Sequence, residues 1–207
     1  FTVDTTANDL RFALLLPHKG KVYIDFVSMF PENTFCGHKN GLREDVAGML
    51  RDLRPDFVRW PGGCIVKGLT MDNRIKWKET IGDIVKRPGE YNLWGYRSTY
   101  GFGYHEFLQF CEDIDADGMF VCNAGMSCLF RNGDYWEEEN RIDNLIQEAL
   151  DAIEYALGDT TTVYGKRRAE NGHAAPFPLK YVEVGNENVG LRYVKNYNRF
   201  YKAIKEK

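Results

Sequence analysis

The chain has 207 residues, enough for one sizeable hydrophobic core, and its 43% hydrophobic and 28% charged content is that of an ordinary globular protein. A net charge of −3 lacks the basic surplus that phosphate-backbone binding needs, so no nucleic-acid partner is expected, and no run of about eighteen apolar residues exists to span a membrane. Five cysteines (Cys36, Cys64, Cys111, Cys122 and Cys128) are an odd number without the spacing of a disulfide framework, so they read as mostly reduced and buried.

Residues 1–30 read as β structure. The runs 12–16 and 22–27 flank a turn at Pro17-His18-Lys19-Gly20. Two strands alone make no stable sheet, so their partners are expected upstream of Phe1, and both ends of the chain look cut. From Gly41 the pattern changes. Leu42, Val46, Met49, Leu50 and Leu53 share a helical face, followed by a strand at 57–60. A second helix carries Tyr104, Phe107, Leu108 and Cys111, and a strand follows at 119–122. A third helix runs through Ile142, Leu145, Ile146, Ala149, Leu150 and Ile153. The next strand is at 181–184, within the alternating run that starts at Leu179. A last amphipathic helix carries Val194, Tyr197, Tyr201 and Ile204. Repeated strand–helix units imply an α/β fold with a parallel sheet and right-handed crossovers. The loop from Pro61 to Tyr104 exceeds forty residues and follows a strand C-terminus, where α/β barrels build their sites.

Several motifs read as structural. Asp113-Ile114-Asp115-Ala116-Asp117-Gly118 imitates half of a calcium loop, but Ala124 stands where the bidentate glutamate belongs. Gly101-Phe102-Gly103-Tyr104-His105-Glu106 begins like a dinucleotide fingerprint, with Glu106 in place of the third glycine. Neither the cysteines nor the four histidines have zinc spacing, and there is no Gly-x-Ser-x-Gly elbow for a serine hydrolase. No metal and no organic cofactor is therefore expected.

Three successive strand ends carry glycine with a polar residue: Pro61-Gly62-Gly63-Cys64, Asn123-Ala124-Gly125 and Gly185-Asn186-Glu187. Together they suggest one narrow polar floor at the C-terminal edge of the sheet, where catalytic side chains of barrels converge. A carboxylic acid beside an amide suits glycosidase chemistry. The plain alternative for Glu187 is a cap on the helix that follows.

These segments resemble glycoside hydrolase family 51, the retaining α-L-arabinofuranosidases. The ordered matches include Asn40-Gly41-Leu42-Arg43-Glu44-Asp45, Arg59-Trp60-Pro61-Gly62-Gly63-Cys64, Trp77-Lys78-Glu79-Thr80-Ile81-Gly82, Trp94-Gly95-Tyr96, Arg168-Ala169-Glu170-Asn171-Gly172-His173 and Glu183-Val184-Gly185-Asn186-Glu187. The resemblance implies an incomplete (β/α)8 TIM barrel over 31–207, holding about strands 2–4, preceded at 1–30 by the C-terminal strands of an accessory β-sandwich. It makes Glu187 the general acid/base, Asn186 the residue that binds the sugar 2-hydroxyl, Cys64 a lining of the sugar subsite and Trp94 an aromatic wall. Asn123, on the middle strand end, joins them as a substrate-binding candidate. The nucleophilic glutamate of a seventh strand and the sugar-binding glutamate of a first are expected outside the 207 residues. Lys67 departs from the resemblance, at a position where an acidic residue or histidine is more usual.

The implied substrate is an arabinose-containing polysaccharide or oligosaccharide, and the full-length protein could assemble as a homo-oligomer. An acid/base glutamate is expected to be held protonated by burial and by the neighbouring nucleophile's charge. Two alternatives stand beside this reading. One is a non-catalytic sugar-binding or orphan barrel fragment. The other is a different barrel glycosidase, such as a xylosidase or endoglucanase. A polysaccharide substrate suits an extracellular or periplasmic compartment, whereas free thiols suit a reducing one.

Overall fold

The computed structural model describes Asp9 and residues 11–207. Residues 11–30 carry no strand ladder, and their side chains are exposed, including Leu15 and Tyr23. The strands expected at 12–16 and 22–27 are thus not formed. A run with strand-like alternation stays unpaired when no neighbouring strand supplies its hydrogen bonds. The rest of the expected β segment, residues 1–8 and 10, lies outside the described residues.

From residue 44 onward helices and strands alternate. Helix α1 (Glu44–Asp52) leads to β1 (Phe57–Trp60), and a single helical turn, α2 (Cys64–Lys67), follows its end. A two-stranded hairpin, β2 (Glu90–Tyr91) and β3 (Arg97–Ser98), interrupts the long loop before α3 (Tyr104–Asp113). Then come β4 (Asp117–Cys122), α4 (Glu139–Leu157), α5 (Val163–Glu170), β5 (Leu179–Val184) and α6 (Gly190–Glu206). Strands β1, β4 and β5 form one parallel sheet in that order, with Trp60 opposite Phe120 and Cys122 opposite Val184. This is the α/β parallel-sheet class that the alternation implied.

One face of the sheet is covered by helices. Trp60 stacks on Phe107 and Phe120, at centroid distances of 5.9 and 6.2 Å, and Trp77, Tyr104 and Tyr155 extend this aromatic layer towards α4. The start of α3 packs tightly on the 3-10 turn Trp77–Thr80 at Gly103, where an added Cβ would meet the Thr80 carbonyl oxygen at 1.8 Å. That glycine serves chain packing. Its neighbour Glu106 accepts the Gly103 N–H at 2.9 Å and pairs with Arg87 through both carboxylate oxygens, at 2.6 and 3.0 Å. Arg168, fully buried, donates to the carbonyls of Tyr155, Ala156, Gly158, His173 and Ala174, tying α5 to the end of α4 and the approach to β5. Asp113 turns to His38 at 2.8 Å, so the calcium-like run is a helix-to-strand turn.

The other face is open. Phe57 and Tyr181 meet edge to face on it at 6.2 Å, and both are at least 40% exposed. Among the described residues β1 and β5 each pair only with β4, which leaves two sheet edges unpaired. Parallel sheets are normally covered on both faces, so this face and these edges are where further structure would pack.

Candidate active site

The three strand ends lie side by side at the C-terminal edge of the sheet, the last two joined by the Gly185 N–H donating to the Cys122 carbonyl at 2.8 Å. Around them the long loops interlock. The Cys128 N–H donates to the Gly68 carbonyl at 3.1 Å, and the Met71 N–H donates to Asp134 at 2.8 Å.

Glu187 stands at the centre. Its backbone is left-handed, with φ of +48°, a conformation uncommon for a side-chain-bearing residue and concentrated at functional sites. Helix α6 begins only at Gly190, its N-cap is Val189, and no side chain caps it. Glu187 is therefore not a helix cap. Its Oε2 collects three contacts: Asn186 Nδ2 at 3.1 Å, Lys67 Nζ at 3.3 Å and Cys64 Sγ at 3.6 Å. The carboxylate itself is 54% exposed, whereas Lys67 is fully buried. Lys67, together with Cys64 and Asn186, holds the Glu187 carboxyl below the usual carboxylate range. This reverses the expected upward shift. An ammonium at 3.3 Å favours the charged form, and a half-exposed carboxyl feels little desolvation to oppose it.

Asn186 is oriented from behind. Arg59 forks onto Glu183 at 2.6 and 2.7 Å and donates a third bond to Asn186 Oδ1 at 2.9 Å. Gly63 lets this amide approach, since a Cβ there would come within 3.2 Å of Asn186 Oδ1. Gly185 has φ of +77° and would put a Cβ 2.4 Å from Asn188 Oδ1, so the turn that presents Asn186 and Glu187 requires glycine.

The remaining candidates divide. Cys64, partly exposed on α2, faces Glu187 on one side and Cys128 Sγ, at 3.7 Å, on the other. Burial pushes its thiol up. Asn123 is buried and spends its side chain on backbone: Nδ2 donates to Val66 and Met126, and Oδ1 accepts from Gly125 and Met126. It shapes the floor, and the structure does not turn its amide to the cleft. Trp94 is exposed on the β2–β3 hairpin and stacks with Tyr96 at 6.4 Å; Asn73 anchors that hairpin to the loop after α2 through the Tyr91 carbonyl. Lys67 was visible in the sequence only as a departure. The spacing of Cys64 and Lys67, three residues apart, is the signal that could have put both on one face of a helical turn.

In parallel α/β barrels catalytic side chains sit at the C-terminal ends of the strands, the place Asn186 and Glu187 occupy here. A family model described as the α-L-arabinofuranosidase 1 domain matches residues 49–207. Among relatives, the chain is 42% identical over 203 residues to α-L-arabinofuranosidase 2 of Arabidopsis thaliana, covering 97% of this chain and 29% of that protein. It is 37% identical over 216 residues to an extracellular exo-α-L-arabinofuranosidase of Streptomyces chartreusis, covering 99% and 26%. An arabinose-bound family 51 α-L-arabinofuranosidase superposes with a TM-score of 0.77 at 36% identity, over 84% of this chain and 27% of that one. The arabinose complex of the Thermotoga maritima enzyme gives 0.63 at 26% identity, over 81% and 32%. The chain belongs to the α-L-arabinofuranosidases of glycoside hydrolase family 51. It spans less than a third of the length of these relatives.

Proposed function

We propose that the full-length protein hydrolyses terminal α-L-arabinofuranosyl residues of arabinose-containing polysaccharides or oligosaccharides with retention of configuration. Glu187 is the general acid/base in this reading. Asn186 grips the sugar 2-hydroxyl, Cys64 lines the subsite and Trp94 walls it. The observation that carries the reading is the placement of Glu187: a left-handed residue at a strand end, its carboxylate open to the cleft and ringed by Asn186, Cys64 and Lys67. The names of the relatives supply the sugar, and that of the Streptomyces relative supplies the exo mode.

Retaining glycosidases set two carboxyl groups about 5–5.5 Å apart, one as nucleophile and one as acid then base. The nucleophile belongs to a strand outside these 207 residues. It attacks the anomeric carbon while Glu187 gives its proton to the leaving oxygen. Glu187 then takes a proton from water, which opens the sugar–enzyme ester. The nucleophile's negative charge supplies the upward push that Glu187 lacks in this chain, and that push vanishes when the ester forms. In the same reading β1, β4 and β5 are the second, third and fourth strands of a (β/α)8 barrel whose other strands pair with the open edges and enclose the open face.

Glu187→Gln in the full-length protein tests the assignment. The first step for an alkyl arabinofuranoside should fall by most of the roughly 10²–10⁴-fold that general acid catalysis contributes, while that for an activated aryl arabinofuranoside should persist. Equal losses for both would remove Glu187 from the acid role.

A second reading has an observation of its own. The sheet face beside Glu187 is uncovered, so the 207 residues alone act as a sugar-binding fragment at most.

A further inference from the structure

Lys67 is fully buried, and among the described residues the polar partner of its ammonium is Glu187 Oε2, at 3.3 Å. The Phe130 ring also faces it, 5.9 Å from Nζ to the centroid. A buried ammonium is costly unless it is paired, and pairing by one contact makes that contact obligatory from the lysine's side. Glu187 is under no such constraint, because its carboxylate is 54% exposed and can turn into the cleft. The pair is asymmetric: a fixed cation beneath a movable anion.

Resting on the acid/base reading of Glu187, we propose that Lys67 is a positioning residue for that carboxylate, holding it at the cleft rim and favouring its deprotonated, base form over its acid form. The other groups facing Glu187 are few. Cys64 lies on the same turn as Lys67, and Asn186 adjoins it in sequence; Arg59, its charge shared with Glu183, stands behind Asn186. Arg59 reinforces the direction set by Lys67, while Cys64 and Asn186 add hydrogen bonds to the same oxygen. Nothing among these groups carries the negative charge that would hold a proton on Glu187. The acid step therefore depends on the nucleophile's charge working against Lys67. In the base step, after that charge has been consumed, Glu187 is already ionised at neutral pH and Lys67 acts only by holding it at the rim. The device therefore weighs on the acid step, most of all for poor leaving groups.

The test is the pH dependence of kcat/KM in the full-length protein with an unactivated aryl or alkyl arabinofuranoside. Its alkaline limb reports loss of the proton from the acid. Removing a cation that stabilises the carboxylate lets the proton stay to higher pH. Lys67→Met should therefore move the limb upward, and activity above the wild-type limb should rise relative to the optimum. Turnover of an activated aryl substrate at neutral pH, limited by a base step in which Glu187 is ionised with or without Lys67, should change far less in the same variant. Lys67→Arg keeps the charge and should leave the limb where the wild type has it, and Lys67→Gln neutralises the charge with a polar end if methionine is not accommodated. A folded neutral variant whose limb coincides with that of the wild type would overturn the proposal. Glu187→Gln separates the two claims. If it abolishes the limb while Lys67→Met does not move it, only the role of Lys67 fails; if it keeps the wild-type profile, the acid/base reading fails with it.

Discussion

Arg59 Nη2 donates to Asn186 Oδ1 at 2.9 Å, and that bond determines which way round the amide faces. Arginine can only donate, so the atom turned to it is the amide oxygen. The amide nitrogen is thereby aimed at Glu187 Oε2, 3.1 Å away. Arg59→Met would free the amide and strip Glu183 of its partner. Both members of the Arg59–Glu183 pair are about one-third exposed (31% and 34%), so the stability loss should be modest, about 1 kcal/mol. In the full-length protein the loss in kcat/KM should exceed that stability loss, and denaturant melts beside kinetics would show it. A large stability loss with unchanged kcat/KM would make Arg59 a purely structural residue.

Gly103 should be intolerant and Gly20 indifferent. An alanine Cβ at Gly103 would sit 1.8 Å from the Thr80 carbonyl oxygen, a clash with backbone that only a displacement of α3 relieves. Gly20 has nothing within 4 Å. Gly103→Ala should lower stability by several kcal/mol or abolish soluble expression, while Gly20→Ala should leave the melting curve within about 0.5 kcal/mol of the wild type.

The 207 residues in isolation should be poorly packed. Leu191, Val194, Tyr197 and Tyr201 are exposed on α6, Met49 and Leu53 on α1, and Phe57 and Tyr181 on the open sheet face. Such surfaces bind hydrophobic dyes or one another. Calorimetry should show a broad transition, with strong dye binding or aggregation at micromolar concentration. A sharp two-state melt of a monomer would contradict the partial-barrel reading.

The thiols should react in a fixed order in the folded chain. Cys36 is exposed and Cys64 partly so, whereas Cys111, Cys122 and Cys128 are buried. Burial pushes Cys111 and Cys122 up to about 12, which leaves almost no thiolate at neutral pH. Ellman's reagent, followed by mass mapping, should label Cys36 first and Cys64 next, with the other three released only by denaturant.

Much of this was legible from periodicity. The expected helices became α1, α3, α4 and α6, and the three expected strands became β1, β4 and β5. The stripes of α3 and α4 face the aromatic layer, whereas Met49 of α1, Leu53 at its end, and Val194, Tyr197 and Tyr201 of α6 are exposed. Helix α5 was missed: Val163–Glu170 is mostly polar, and it is held by the buried guanidinium of Arg168 where an apolar stripe would normally serve. The runs 12–16 and 22–27 have strand alternation without strand partners, which local pattern cannot report. At the site, Asn186, Glu187 and Cys64 meet as their strand-end positions implied. Asn123 has the same strand-end signature but turns inward to staple its loop, a choice made by nearby carbonyls that sequence does not reveal. Lys67 stood out only as a departure from the resemblance, and its burial beneath Glu187 was not foreseen because lysine is ordinarily solvated.

The most direct measurement is the reaction of full-length Glu187→Gln with an activated aryl arabinofuranoside in the presence of azide. The aryl group leaves unaided, so the sugar–enzyme ester should form and then stall for want of a base. Azide needs none. Turnover should recover with added azide, and the product should be an arabinofuranosyl azide with the configuration of the substrate. Failure of azide to restore turnover, together with equal slowing of alkyl and aryl substrates, would contradict the assignment of Glu187 as the acid/base.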